Sequence, residues 1–182
     1  MSGHNKWSKI KHKKAATDGL KSKVFSKHAM FITMETKKAG GDATSAGVLA
    51  AVERAKKDSM PKDNIDRAIA KGSGAGSAAL EEVIFEAFGP GGVGIIITAV
   101  TDNNNRTAPE IKHIFSKAGL AIGAPGSAMW AFTKTSDGYV PQNHLELNDT
   151  DGEKLATLIE ALEEQDDVQE IFTTADTPEE VE

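Results

Sequence analysis

Apolar residues in this chain change their spacing part-way along. Over residues 11–72 they recur at three- and four-residue steps, and beyond that they fall into short, β-branched runs. From about Lys11 to Lys38, Leu20, Val24, Phe25, His28, Phe31 and Ile32 mark one helical face; Gly19 is a candidate break and Gly40-Gly41 ends the pattern. A second helix is predicted from about Ser45 to Asp58, with Val48, Leu49, Val52 and Ala55 on one face. A third starts near Pro61, whose missing N–H is harmless in a first turn, carries Ile65, Ala68 and Ile69, and stops at Gly72. The expectation is a small three-helix domain.

Gly72-Ser73-Gly74-Ala75-Gly76-Ser77 reads as a flexible linker and sets the expected boundary between residues 1–76 and 77–182. Beyond it, Glu82 to Phe88 and Gly92 to Thr101 are strand-like and joined through Gly89-Pro90-Gly91 as a hairpin. Thr107-Ala108-Pro109-Glu110 has the form of a capping box ahead of Ile111, Ile114, Phe115 and Ala118, with Gly119 as the stop. Strands are predicted over Ser127 to Thr135 and Tyr139 to Leu147. A second box, Thr150-Asp151-Gly152-Glu153, precedes Leu155, Leu158, Ile159 and Leu162, and a last strand covers Val168 to Thr173. The order β-β-α-β-β-α-β predicts an α+β fold: an antiparallel α/β sandwich with both helices on one face, following the three helices.

Charge divides where the periodicity does. Residues 1–72 hold 14 Lys and 2 Arg against 7 acidic residues, a net of +9, whereas residues 73–182 hold 5 basic and 20 acidic residues, a net of −15. The whole-chain net of −6 conceals a polyanion-facing end. The concentration is greatest at Gly3-His4-Asn5-Lys6-Trp7-Ser8-Lys9-Ile10-Lys11-His12-Lys13-Lys14. Lys21, Lys23 and Lys27 follow, and Asp18 is the sole acidic residue before Glu35. Lysines without acidic neighbours repel one another, a cost that phosphate contacts offset. The plainer alternative is a solvated helix face. Trp7 either stacks on a base or anchors the N-terminal arm to the bundle.

Other chemistries find little support. The longest apolar run, Val93 to Val100, has strand length and includes Gly94 and Thr98, so no membrane helix is expected. With no cysteine and no apolar signal core, a cytoplasmic protein is the expectation. Gly89-Pro90-Gly91-Gly92-Val93-Gly94 spells G-x-G-x-x-G, but a dinucleotide loop must open a helix and Ile95-Ile96-Ile97-Thr98 continues as strand. His4, His12 and His28 lack ligand spacing, and no nucleophile elbow or paired carboxylates stand out. Neither an enzyme, a metal nor a cofactor is expected. Asp102-Asn103-Asn104-Asn105-Arg106-Thr107 enters a helix and reads equally as an anion-binding N-terminus or a turn rich in Asn.

Four ordered stretches carry a family resemblance: residues 3–14, Met60-Pro61-Lys62-Asp63-Asn64-Ile65-Asp66-Arg67-Ala68-Ile69, Phe88-Gly89-Pro90-Gly91-Gly92-Val93, and Thr101 to Thr107. Together they resemble the YebC/PmpR family, relatives of the mitochondrial translational activator of cytochrome oxidase. The resemblance implies a helical N-terminal domain, α/β domains after it, and a role in gene expression, as a DNA-binding transcriptional regulator or a ribosome-associated translation factor. It assigns nucleic-acid contact to Lys6, Trp7, Lys9, Lys11, His12, Lys13 and Lys14, and to Arg106 in the asparagine turn; charge adds Lys21 and Lys23. The chain departs from the family in two places. Lys134-Thr135-Ser136-Asp137-Gly138 runs directly into Tyr139-Val140-Pro141 where relatives insert a third domain, and Asn104 stands where a basic residue is common.

The sequence thus predicts a non-enzymatic nucleic-acid-binding regulator, with DNA or ribosomal or transfer RNA as partner, the ribosome as a further one, and a monomeric state. The rival is a protein-interaction module that binds a basic partner through its acidic domain. With no recognition helix bearing base-reading residues, phosphate contact gives affinity without sequence readout, which favours RNA.

Overall fold

The computed structural model describes residues 18–74, 79–136 and 138–176. Among these, one compact unit runs up to Glu82 and includes Val100–Asn103; the other comprises Val83–Ala99 and the residues from Asn104 onward.

The first unit is helical: α1 (Asp18–Lys38), α2 (Ala46–Lys57) and α3 (Lys62–Ser73). Gly19 lies in the first turn of α1 as described, and the part of the expected helix from Lys11 to Thr17 lies outside the described residues; α1 ends at Gly40 and Gly41, which take φ of 65° and 92°. Its inner face meets both other helices around Ile32, Ala51, Ala55, Met60, Ile65 and Ala68. Val48 is buried as predicted, but Leu49 is 52% exposed, because Ala51 rather than Leu49 completes the apolar stripe of α2. His28, placed by spacing on the apolar face, instead meets Asp58 through Nε2 at 2.6 Å and ties α1 to the end of α2.

Gly72 does not stop α3. The helix continues to Ser73, and Gly72 is buried inside it. A Cβ at this position would lie 2.6 Å from both the Thr33 carbonyl oxygen and Thr36 Cβ. The glycine therefore permits two helix backbones to approach, a requirement imposed by α1 that helix-local spacing does not reveal. At the same crossing, Thr33 Oγ1 donates to the carbonyls of Ala29 (2.7 Å) and Ala68 (3.1 Å).

The second unit contains β1 (Glu81–Phe88), β2 (Gly94–Thr101), α4 (Asn104–Lys117), β3 (Phe132–Thr135), β4 (Gly138–Pro141), α5 (Asp149–Glu163) and β5 (Val168–Thr173), with the first residues of β1 and the last of β2 belonging to the helical unit. A 3-10 turn at Pro90–Gly92 joins β1 to β2, with Gly91 and Gly92 at φ of 70° and 81°; Gly94 then opens a strand, so the turn cannot serve as a dinucleotide loop. The expected single sheet is two: a three-stranded sheet ordered β1-β2-β5, and a separate β3-β4 hairpin. Strand β5 runs antiparallel to β2, from Ile95 opposite Thr173 to Ala99 opposite Val168, with a register shift between Thr98 and Ala99.

Every residue of β2 is buried, as expected of a strand covered on both faces. Ile95, Ile97 and Ala99 pack with Ile111 and Phe115 of α4 and Leu155, Leu158 and Leu162 of α5, so both helices share one face. Ile96 points the other way, against Phe132 and Tyr139 of the hairpin. Tyr139 meets Phe172 of β5 edge-to-face, with ring centroids 5.4 Å apart. The hairpin is therefore a third layer.

Both predicted capping boxes are displaced. Helix α4 begins three residues before Thr107, whose hydroxyl is used elsewhere. The N-cap of α5 is Asn148, which accepts from Asp151 N at 2.8 Å and donates back to the Asp151 carboxylate. The strand expected from Ser127 shrinks to Phe132–Thr135, because a buried carboxylate holds the preceding residues in turns; the strand expected to reach Leu147 ends at Pro141, and Leu145 forms only an isolated bridge with Ala175.

Candidate nucleic-acid interface

Of the predicted contact residues, Lys6, Trp7, Lys9, Lys11, His12, Lys13 and Lys14 lie outside the described residues. Lys21 and Lys23 are on α1, Lys21 exposed and Lys23 half-buried. Positions two apart on a helix do not share a face, so these two lysines do not form one contact surface by themselves.

Part of the remaining positive charge of the helical unit is met locally. Lys38 donates to Glu35 at 3.0 Å, Lys56 to Glu53 at 2.9 Å, and Lys62 pairs with Asp66. Arg67 donates to Asn64 Oδ1 at 2.6 Å, and the Arg54 guanidinium sits 5.9 Å from the centroid of the Phe31 ring. Exposed pairs of this kind add little stability, but they lower the net field around α2 and α3. The cationic excess of this part of the sequence accordingly falls toward its lysine-rich start.

Arg106 has a partner that the sequence reading passed over. It sits in the first turn of α4 and donates from Nη2 to Asp167 Oδ2 at 2.8 Å; Thr107 Oγ1 donates to the same oxygen at 2.6 Å. Asp167 lies just before β5, and its side chain is 6% exposed against 46% for Arg106. Its own N–H donates to Gln165 Oε1 at 2.6 Å, and Gln165 Nε2 donates to Glu110 on α4 at 2.8 Å. Burial raises the Asp167 carboxyl, but hydrogen bonds from Arg106 and Thr107, the Arg106 charge and the link to Gln165 more than offset it, leaving the group below its ordinary range. Arg106 thus fastens α4 to the start of β5, and a phosphate would have to share its guanidinium with that carboxylate. Asn104 Oδ1 is buried without a hydrogen-bond partner among the described residues, and as an acceptor it offers nothing to an anion. A tandem Arg-Thr at a helix start, with an acidic residue just before a distant strand, is the only local trace of this network in the sequence.

Comparison with known proteins places these features in a lineage. The TACO1/YebC protein N-terminal domain matches residues 5–75, and the TACO1/YebC second and third domain matches residues 80–137 and 133–175. The chain belongs to the TACO1/YebC family. A probable transcriptional regulatory protein of Syntrophus aciditrophicus is 34% identical over 244 aligned positions, covering 100% of this chain and 98% of the relative. One from Petrotoga mobilis is 44% identical over 179 positions, covering 95% of this chain and 70% of the relative. A third, from Thermoanaerobacter pseudethanolicus, is 50% identical over 136 residues, a stretch that takes in 74% of this chain but 55% of the relative. Among solved structures, a conserved hypothetical protein of Aquifex aeolicus superposes with a TM-score of 0.78 at 27% identity, covering 90% of this chain and 93% of that one.

The alignment of 244 positions to a chain of 182 residues opens a large gap on this side, and the two matched segments of the second family description meet at residues 133–137. Thr133 to Thr135 are the last residues of β3 and pair with β4, so the segments meet where β3 leads into β4, a connection from which chain is removable without disturbing the strands that it joins. Among the described residues, no helix of this family member is long and apolar enough to cross a membrane.

Proposed function

We infer that this chain is a non-enzymatic, nucleic-acid-binding regulator of gene expression that holds its target by phosphate contact through the lysine-rich N-terminal segment. The observation that carries the reading is charge: Lys6, Lys9, Lys11, Lys13 and Lys14 stand without acidic neighbours in a segment whose family relatives are named probable transcriptional regulatory proteins. Lys56 of α2 and Lys62 of α3 are each paired with a carboxylate, whereas five lysines fall within residues 6–14 with no acidic residue among them, so the segment before α1 is the densest cationic feature available to a polyanion. Residues 1–76 then make the contact and residues 77–182 act as scaffold.

RNA, including RNA on the ribosome, is the favoured target. Phosphate contacts fix position without reading sequence, and α1 offers no run of base-reading side chains. The salt dependence of binding tests the reading. Replacing Lys9, Lys11, Lys13 and Lys14 with Ala together should flatten the plot of log K against log salt by about three units for single-stranded RNA. An unchanged slope overturns the assignment. Cosedimentation with ribosomes that persists after DNase treatment separates a translation role from an operator-binding one.

A further inference from the structure

The acidic half of the chain contains one long stretch without acid. Residues 111–136 hold Lys112, His113, Lys117 and Lys134 and no Asp or Glu, although residues 73–182 carry 20 acidic residues against 5 basic. The largest exposed apolar side chain of the described residues, Trp130 at 69% exposure, stands in that stretch.

Its loop is fixed from beneath. Glu86, on β1, is buried at 6% exposure and accepts from three backbone N–H groups of the loop: Gly126 at 2.6 Å on Oε1, and Ala128 at 2.8 Å and Met129 at 2.7 Å on Oε2. The Gly123 N–H donates to the Glu86 carbonyl at 2.8 Å, closing the other end. The indole is oriented too, because Trp130 Nε1 donates to the Ser127 carbonyl at 2.8 Å. Tryptophan has a single polar donor, so what it presents outward is a π face. The loop is held by a buried carboxylate with three charge-assisted bonds, and the ring reaches its exposed position at little further entropic cost. Lys134 follows on β3, its ammonium 5.9 Å from the centroid of the Tyr139 ring.

We propose that Trp130 is a stacking platform for an unpaired nucleobase of a single-stranded nucleic acid. Three observations select this occupant: the only polar atom of the ring is already bonded, its surroundings in sequence carry no negative charge to repel a phosphodiester, and the Glu86 clamp presents the ring in one orientation. An aromatic face of this kind binds any base, since every base has a π surface. The proposal rests on the nucleic-acid reading above and adds a second element to it, in which the lysine segment supplies charge and Trp130 supplies stacking.

The two elements respond differently to salt, because stacking releases no counterions. Trp130→Ala should weaken binding of a 12-nucleotide oligo(U) by about five- to a hundredfold with an unchanged salt slope. Trp130→Phe should retain most of the affinity. In a Trp7→Phe background Trp130 is the sole tryptophan, and its fluorescence should be quenched by oligo(U) but not by an abasic oligomer of equal length. If oligo(U) binds with a steep salt slope while Trp130→Ala and the fluorescence show nothing, the platform is overturned and the lysine reading survives. If no oligonucleotide binds, both fall. Trp130 fluorescence that instead changes with protein dilution, with sedimentation showing a dimer, overturns the platform in favour of a contact between copies of the chain.

Discussion

Arg106 and Asp167 stand 61 residues apart in sequence and are joined by a 2.8 Å hydrogen bond from Nη2 to Oδ2, on an oxygen that also accepts from Thr107. The two donors are unequal in what their loss should cost. Thr107 is fully buried, whereas Arg106 is half exposed and can be rehydrated. Asp167→Ala should therefore destabilise the protein by about 1–3 kcal/mol, and Arg106→Ala by less than about 1 kcal/mol. Urea midpoints measure both. In Asp167→Ala/Thr107→Val part of the loss should return, since the orphaned hydroxyl is gone.

Acid should weaken the fold through two carboxylates. At Glu86, as at Asp167, burial raises the carboxyl and the hydrogen bonds that it accepts more than offset it, so each sits below its ordinary value. A depressed folded-state pKa contributes stability that is complete above the unfolded value and is lost as pH falls through the folded one. Urea stability should be flat near neutrality and decline once pH drops below the ordinary carboxylate range of about 4. Glu86→Gln, which keeps the shape but sets an amide against a row of N–H donors, should cost about 2–3 kcal/mol at pH 7 and reduce the acid-dependent decline. If wild type and Glu86→Gln lose stability equally on acidification, Glu86 is not the group that titrates.

Gly72→Ala should be destabilising by about 1–3 kcal/mol, although alanine in an exposed helix interior would stabilise. The added Cβ meets the Thr33 carbonyl and Thr36 Cβ at 2.6 Å. Thr36→Ala retains its Cβ and leaves the Thr33 backbone in place, so it should provide no rescue. A stabilised Gly72→Ala protein would show that α1 and α3 have room to separate.

Gly138 opens β4 at φ 118°, and a Cβ there would collide with the Phe172 ring. Gly138→Ala should lower thermal stability and weaken the Tyr139–Phe172 contact, observable as a loss of near-ultraviolet circular dichroism from the tyrosine. Phe172→Ala on the same background should relieve the collision and leave the backbone strain, a partial recovery.

Periodicity alone was enough to place the three helices, the two helices of the α/β unit and the strands β1, β2 and β5, because each buries a face whose repeat is written locally. Gly40, Gly41 and Gly119 were readable as stops for the same reason: all three adopt the positive φ that glycine tolerates at a helix end. The failures have a common cause. Thr107 had the form of a cap, and Ser127 to Ala131 that of a strand, until carboxylates distant in sequence, Asp167 and Glu86, engaged their polar groups. Gly72 read as a terminator until α1 came within reach of it.

The sequence by itself determined the separation of a lysine-rich helical part from an acidic α/β part, and the family. Those follow from composition and spacing along the chain, which no packing alters. Only the tertiary structure decided that the hairpin forms a layer of its own over β2, that Arg106 fastens α4 to β5, and that Trp130 stands exposed on a loop clamped by Glu86. Each depends on partners more than 30 residues away or on the burial that follows from assembling the layers, and short-range patterns carry no record of such distances.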